Sequence, residues 1–239
     1  MNAYAMTDVG ECRKVNQDCI FSSVTPIGKM DNLFIVADGM GGYKAGDVAS
    51  MFTVETVVQI VKESESGTLV SIVDKAIRIA NERLIKKATE SEEYEGMGTT
   101  LVVATIHKGL LSVANVGDSR LYMVNDSEIR QITRDHSFVE EMVSRGLIER
   151  SEARTHEDKN KITRAIGVEQ DVMADFFEIK VKEGDKFLMC SDGLSNMIED
   201  EVIAGIVRDN DVKTAVTKLV ELANHNGGKD NISVIIIEA

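Results

Sequence analysis

One pattern occurs twice in this chain and narrows the folds open to it: an apolar strand, an Asp-Gly pair, two amphipathic helices and a further strand. It runs from Leu33 to Ile106 and again from Phe187 to Ile237, with too little identity between the halves to be a sequence repeat. Each half therefore has one apolar sheet face and one helix pair, and every apolar stripe needs a partner surface. Two antiparallel sheets packed face to face, with a helix pair on each outer side, give every apolar stripe such a partner. We predict an α+β fold, a four-layer α/β/β/α sandwich.

Apolar, β-branched runs and helical periodicity supply the elements of this prediction. The predicted strands are 32–37, 99–106, 110–116, 120–124, 186–190 and 232–237, with a hairpin turn at 107–109. The predicted helices have apolar faces within 51–61, 69–84, 202–207 and 212–223. Pro26 is the one proline, and no Ser-, Gly- or Pro-rich linker interrupts the chain, which favours a single domain over residues 1–239.

The charge of the chain limits its partners. Lys and Arg number 27 against 40 Asp and Glu, a formal net charge of -13, which repels a phosphate backbone and makes nucleic acid an unfavourable partner. No stretch reaches the roughly 18 apolar residues of a membrane span, and no signal or transit peptide is recognisable. We expect no membrane insertion and a cytoplasmic location.

Four aspartates stand at the ends of predicted strands. Asp38, Asp118 and Asp192 each follow a strand, and Asp230 opens the last one. A carboxylate in such a place is costly to bury unless it is paired or bound to a metal, and oxygen ligands suit magnesium or manganese better than zinc. A tight turn is the alternative for any single Asp-Gly pair. Four such acids in this topology favour a metal site.

Six segments of the chain resemble the protein phosphatase 2C family of metal-dependent Ser/Thr phosphatases, particularly its short, single-domain bacterial branch. The segments are Gly10–Asp18, Val36–Gly42, Gly96–Thr100, Asn115–Arg120, Cys190–Asn196 and Gly228–Ile232. They occur in the family's order across nearly the whole chain, which makes the resemblance specific. The family's fold is the same four-layer sandwich.

The resemblance implies a set of ligands for Mn²⁺ or Mg²⁺. Asp38 would bridge two catalytic ions, the carbonyl of Gly39 would bind one of them, and Asp192 and Asp230 would bind the other. Asp118, together with Asp192, would supply the third metal site typical of the bacterial branch.

The resemblance also implies the reaction. Arg13 would bind the substrate phosphate through its guanidinium, and Asp18 would hold a metal-bound water without contacting an ion itself. Phosphoserine and phosphothreonine would be hydrolysed by direct attack of a hydroxide that bridges the two ions, with no phosphoenzyme. Cys190 lacks the His-Cys-(x)5-Arg pattern of a cysteine phosphatase, so a thiolate mechanism is not expected.

Two positions depart from the family pattern. Many members, chiefly eukaryotic, have a His where this chain has Met40, and that His is a proposed general acid for the leaving alkoxide. Bacterial relatives often have a His where this chain has Tyr43. The source of the proton for the leaving group therefore stays open at this point.

Residues 134–167 resemble the bacterial family's flap, a variable segment beside the active site, where we expect substrate gating. The candidate substrate or flap residues are His136, Asn160, Thr163 and Arg164. For His136 a structural or flap-positioning role is favoured over direct catalysis, because no carboxylate partner can be assigned from its spacing.

These observations predict a Mn²⁺- or Mg²⁺-dependent protein Ser/Thr phosphatase with a signalling role. Its expected partners are phosphoproteins and a cognate bacterial Ser/Thr kinase that it opposes, and the protein is expected to be a monomer. The alternative is a catalytically weak relative that binds phosphoproteins as a regulator. All the metal-ligating aspartates are present, which favours the enzyme.

Overall fold

Two antiparallel sheets form the centre of the computed structural model, which describes residues 1–41 and 45–239. The strands are β1 (Asn2–Asp8), β2 (Asp18–Ser23), β3 (Leu33–Met40), β4 (Gly98–Thr99), β5 (Leu101–His107), β6 (Leu110–Val116), β7 (Arg120–Val124), β8 (Ile129–Gln131), β9 (Asp175–Lys180), β10 (Lys186–Cys190) and β11 (Ile232–Glu238). One sheet has the order β1-β11-β10-β7-β8, and the other has the order β2-β3-β5-β6-β9, with β4 paired to β3.

The described helices include one pair that covers the outer face of each sheet. They are α1 (Gly46–Glu63), α2 (Leu69–Ala88), α3 (Phe138–Ser144), α4 (Arg150–Ala153), α5 (Asp192–Ser195), α6 (Asp200–Asp209) and α7 (Val212–His225), with one 3-10 turn at Glu92–Tyr94. Side chains cap two of the long ones: Thr68 accepts a hydrogen bond from the Ser71 amide at the start of α2, and Asp211 accepts two at the start of α7. Among the described residues, no helix is long and apolar enough to cross a membrane.

Alternation along the strands divides the buried side chains into three layers. In β3, Leu33 and Ile35 pack against α1 and α2, whereas Phe34 faces the opposite sheet. In β10, Leu188 packs in the core beneath α6 and α7, whereas Phe187 faces β3 and its neighbours. Successive side chains of a strand point to opposite faces, so both sheets are apolar on both sides. The predicted four-layer α/β/β/α sandwich is confirmed.

The six predicted strands are present, and the hairpin at 107–109 has positive φ at Lys108 and Gly109, as a two-residue turn requires. Four strands were missed: β1, β2, β8 and β9. These four are the edges of the two sheets. An edge strand is only partly covered and carries many polar side chains, so it lacks the apolar run that identifies a central strand.

Candidate active site

Acidic side chains from both sheets meet around a cavity of about 250 Å³ at one end of the sandwich. Asp38 lies in β3, Asp118 follows β6, Asp192 begins α5 directly after β10, and Asp230 precedes β11. The lining also includes Arg13, Gly39, Met40, Thr100, Asn160 and Ile162. The structure thus brings together every predicted metal ligand together with Arg13 and Asn160. Asp18 lies beside the cavity in β2, directly opposite Asp38 in the strand register.

Backbone hydrogen bonds hold Asp38 in place. Its amide donates to Thr100 Oγ1 at 2.9 Å, and its carbonyl accepts from the Thr100 amide and from Thr99 Oγ1, both at 2.9 Å. Thr100 Oγ1 is also 2.7 Å from the Ser119 hydroxyl, next to Asp118. The interruption between β4 and β5 at Thr100, where one continuous strand was predicted, therefore ties two acidic segments together.

The Asp-Gly pairs are required by close backbone packing and not by a tight turn. A Cβ at Gly39 would lie within 3.0 Å of the carbonyl oxygens of Gly46 and Gln17, and a Cβ at Gly193 would lie equally close to the carbonyl oxygen of Asn231. Neither glycine has a positive φ. Only glycine lets these backbones approach so closely, and this approach brings the preceding aspartates into one site.

Asp18 is a buried carboxyl group with one oxygen left unpaired. Ser191 Oγ donates to its Oδ2 at 2.7 Å, whereas Oδ1 has no hydrogen-bond partner among the described residues. Burial raises the pKa of Asp18 to about 7, and the charges of Asp192 and Asp230 act in the same direction. Such an orphaned oxygen calls for a donor or a cation.

Three acids of the cavity lining show the same electrostatic conflict. Burial, followed by neighbouring carboxylates, raises the pKa of Asp38 and of Asp118 well above the ordinary value. Burial and the charge of Asp230 raise the pKa of Asp192 to about 6. Neighbouring carboxylates repel one another when all of them are ionised, and a bound cation offsets this repulsion.

The donor set fits magnesium or manganese. The acidic side chains of the cavity offer carboxylate oxygens, and Gly39 can add a carbonyl oxygen. In the part of the chain that the structure describes, no three His, Cys, Asp or Glu side chains enclose an ion by themselves. An ion here would keep water ligands, which is usual for magnesium and unusual for a structural zinc.

Arg13 lies at the rim of the cavity with its side chain about half exposed. Its Nη2 donates to Asp230 Oδ2 at 2.7 Å, a contact that sequence reasoning missed because 217 positions separate the two residues. This ion pair uses one donor of a guanidinium that has five. The remaining donors can face the cavity.

The predicted flap, residues 134–167, contains α3 and α4 and returns along the cavity. The Phe138 amide donates to the Lys161 carbonyl and the Thr163 amide to the His136 carbonyl, each at 2.8 Å, which closes the base of the segment. Of the four candidate flap residues, Asn160 lines the acidic cavity. Thr163 and Arg164 line a separate, smaller cavity. His136 is buried at the base.

His136 has a carboxylate partner that its sequence position did not reveal. Its Nδ1 accepts a hydrogen bond from the Gly117 amide at 3.0 Å, so the proton of the neutral ring is on Nε2. Nε2 lies 3.2 Å from Asp175 Oδ2, and Arg164 donates to Asp175 Oδ1 at 2.8 Å. Burial lowers the pKa of His136. This arrangement supports the Gly117–Asp118 turn, and Asp175 lies in the missed edge strand β9.

Arg120 and Asp135 form a partly buried ion pair beside Asp118 and Asp192, which sequence reasoning missed. Arg120 donates to Asp135 from Nε at 3.0 Å and from Nη2 at 2.6 Å, and also donates to the Tyr122 hydroxyl at 2.9 Å. The sequence did carry a signal for this pair: Arg120 is the last residue of one of the matched segments, and Asp135 directly precedes the candidate flap residue His136. Tyr43, where bacterial relatives often have a His, lies outside the described residues.

A four-layer sandwich with this acidic cavity defines a class of enzyme, the phosphoprotein phosphatases. The structure matches the crystal structure of the Ser/Thr phosphatase Stp1 from Staphylococcus aureus with a TM-score of 0.93 and 34% identity, over 99% of this chain and 94% of that one. It matches the catalytic domain of PstP, solved with two manganese ions, with a TM-score of 0.87 and 32% identity, over 99% and 97% of the two chains.

Sequence comparison names the family. The family model for protein phosphatase 2C matches residues 13–233. The Ser/Thr phosphatase stp of Listeria welshimeri is 36% identical over 247 residues, which span 100% of this chain and 96% of that protein. The chain belongs to the protein phosphatase 2C family and is a protein Ser/Thr phosphatase.

Proposed function

We propose that this phosphatase depends on Mn²⁺ or Mg²⁺ and hydrolyses phosphoserine and phosphothreonine in proteins without a phosphoenzyme. The proposal rests on one observation: carboxylates from both sheets share one cavity, where burial and mutual repulsion raise the pKa values of Asp38, Asp118 and Asp192. Asp38, Asp192, Asp230 and the Gly39 carbonyl would hold two ions. Asp118, with Asp192, would hold a third. The manganese-bound relative supports this assignment.

Divalent cations at such a site lower the pKa of a water molecule and offset negative charge on the phosphoryl oxygens. The chain's own residues supply orientation. Arg13 is suited to bind two phosphate oxygens at the rim, with Asp230 holding its guanidinium in place. Asp18, with its unpaired Oδ1, is suited to accept a hydrogen bond from a water at the back of the site.

The leaving alkoxide has no histidine or lysine to protonate it among the described residues of the cavity. Met40 lies in the lining where many relatives have a His. We propose that water supplies this proton, so substrates with poor leaving groups react more slowly than aryl phosphates. The same proposal includes a Ser/Thr kinase whose phosphorylation this enzyme reverses, in keeping with relatives named Ser/Thr phosphatases.

The test is hydrolysis of p-nitrophenyl phosphate and a phosphothreonine peptide in Mn²⁺, Mg²⁺ or EDTA. We expect turnover with either ion, none in EDTA, and a loss of about 100-fold or more in Asp38→Asn and Asp192→Ala. Asp126→Asn, an exposed acid in the turn after β7, is the matched control and should keep full activity. A wild-type protein that binds the phosphopeptide with Mn²⁺ present but does not hydrolyse it would overturn the proposal and favour a phosphoprotein-binding regulator.

A further inference from the structure

A small apolar cavity of about 90 Å³ lies beside the acidic one. Its apolar lining consists of Met40, Ile162, Ala165, Val168 and Val172. Met40 and Ile162 line both cavities, so the two spaces share a wall. A group that enters the small cavity is therefore next to whatever occupies the acidic one.

Within the lining of the small cavity, the side chains of Met40 and Val168 both lie close to Gly98. A methyl group at Gly98 would lie 2.7 Å from Met40 Cε and 3.0 Å from Val168 Cγ2. Val168 is nevertheless 58% exposed. An exposed valine on the wall of an apolar cavity has surface left to bury against a ligand.

The loop that carries Val168 is held rigidly. The side chain of Asn81, itself buried in α2, accepts from the Gly167 amide at 2.7 Å and donates to the carbonyls of Glu169 and Gln170 at 2.8 and 3.0 Å. One buried amide thus fixes the backbone on both sides of Val168. A preformed apolar wall loses little conformational entropy when a ligand binds.

Arg164 is the one basic side chain among the described residues of this lining, and it is already occupied. Arg164 Nη1 donates to Asp175 Oδ1 at 2.8 Å and to the Met173 carbonyl at 2.9 Å. Its charge is therefore directed toward β9 and away from the cavity. Glu169 and Asp171 add carboxylates to the lining, which disfavour an anionic ligand. The lining therefore favours an apolar ligand.

We propose that this cavity is a specificity subsite, which takes the apolar side chain of a residue one or two positions from the phosphorylated Ser or Thr of the substrate protein. The inference rests on the proposed function, which puts the phosphate in the acidic cavity. The substrate is a polypeptide, so chain flanking the phosphoresidue can reach across the shared wall, and an extended chain advances about 3.3 Å per residue. A cavity of about 90 Å³ has room for a branched apolar side chain such as Val, Leu or Ile.

The test compares phosphothreonine peptides that differ only by Leu or Ser at one of the positions −2, −1, +1 and +2. We expect wild-type kcat/KM with Mn²⁺ to favour Leu about tenfold or more at one position. In Val168→Asp the Leu-to-Ser ratio should fall to about one, because the carboxylate makes the wall polar. Val24→Asp changes a valine of similar exposure outside both linings and should keep the wild-type ratio.

Peptide binding, followed by fluorescence anisotropy in Mn²⁺, separates this inference from the proposed function. A Leu preference in Kd that Val168→Asp removes supports the subsite even if no peptide is hydrolysed, and the absence of hydrolysis then counts against the proposed function alone. Leu-to-Ser ratios near one at every position in the wild type would overturn the subsite, as would a Val168→Asp protein that keeps the preference.

Discussion

Replacing Asp18 by Asn should stabilise the metal-free protein, and by more at pH 8 than at pH 5. Asp18 is buried opposite Asp38, with one oxygen unpaired and a pKa raised to about 7. Like charges directly opposite in neighbouring strands are unfavourable, and a buried carboxylate loses hydration. Asn keeps the size of the side chain and an acceptor for Ser191, but carries no charge.

The raised pKa of Asp18 sets the size of the expected change in unfolding free energy with pH. The ordinary pKa of an aspartate is 3.8, so between pH 3.8 and about 7 the folded protein binds a proton that the unfolded chain lacks. Stability is therefore highest below this window and falls as the pH rises through it. About two pKa units of the window lie above pH 5, which corresponds to about 3 kcal/mol between pH 5 and pH 8. Asn at this position does not titrate, so the variant lacks this loss.

Urea unfolding in EDTA at pH 5 and pH 8 measures the effect. The difference in unfolding free energy between Asp18→Asn and the wild type should increase by about 3 kcal/mol from pH 5 to pH 8, with unchanged m-values. Asp126→Asn is the control, because it shows how the same substitution at an exposed position affects the unfolding free energy. Parallel pH curves for the wild type and Asp18→Asn would refute a raised pKa at Asp18. If Asp18 also serves the reaction, the stabilised variant should lose activity with Mn²⁺.

Three further changes test other parts of the site. Arg13→Lys should raise KM for a phosphopeptide about tenfold with a smaller effect on kcat, because lysine cannot bind two phosphate oxygens in the guanidinium geometry; steady-state kinetics checks this. Gly193→Ala should destabilise the fold by about 2 kcal/mol or more, whereas Gly205→Ala, in open space within α6, should stabilise it by up to about 1 kcal/mol, both measured by urea unfolding. Asp135→Asn should cost about 2 kcal/mol by removing the charged hydrogen-bond partner of the partly buried Arg120, and an unchanged urea midpoint would contradict this.

The interior of the fold was predictable from local pattern, and its edges were not. A central strand such as β3 is apolar on both faces, and this signal is present in the sequence whatever the rest of the chain does. The edge strand β2 begins at Asp18 and has two serines at its end, so its sequence resembles a loop. Its strand state depends on pairing with β3, and pairing partners cannot be read from composition.

Because the edge strands β2 and β9 were not predicted, part of the site was not predicted either. The predicted ligands were recognisable because each aspartate lies beside a central strand within a family motif. Two residue pairs depend on these edge strands. Asp18 lies opposite Asp38 through the pairing of β2 with β3, and Asp175 of β9 contacts His136. Both join residues that are far apart in the sequence, so the carboxylate partner of His136 could not be assigned from spacing.

The glycines explain why the acidic cavity persists in spite of its repulsion. Gly39 and Gly193 let their backbones pack within contact distance of neighbouring carbonyls, so Asp38 and Asp192 cannot move apart without breaking that packing. Repulsion that movement cannot relieve leaves two outcomes, protonation or a bound cation. With the pKa of Asp192 at about 6, protonation of this carboxylate is largely lost at neutral pH. The backbone contacts that destabilise the empty site are therefore the same contacts that favour a divalent cation in it.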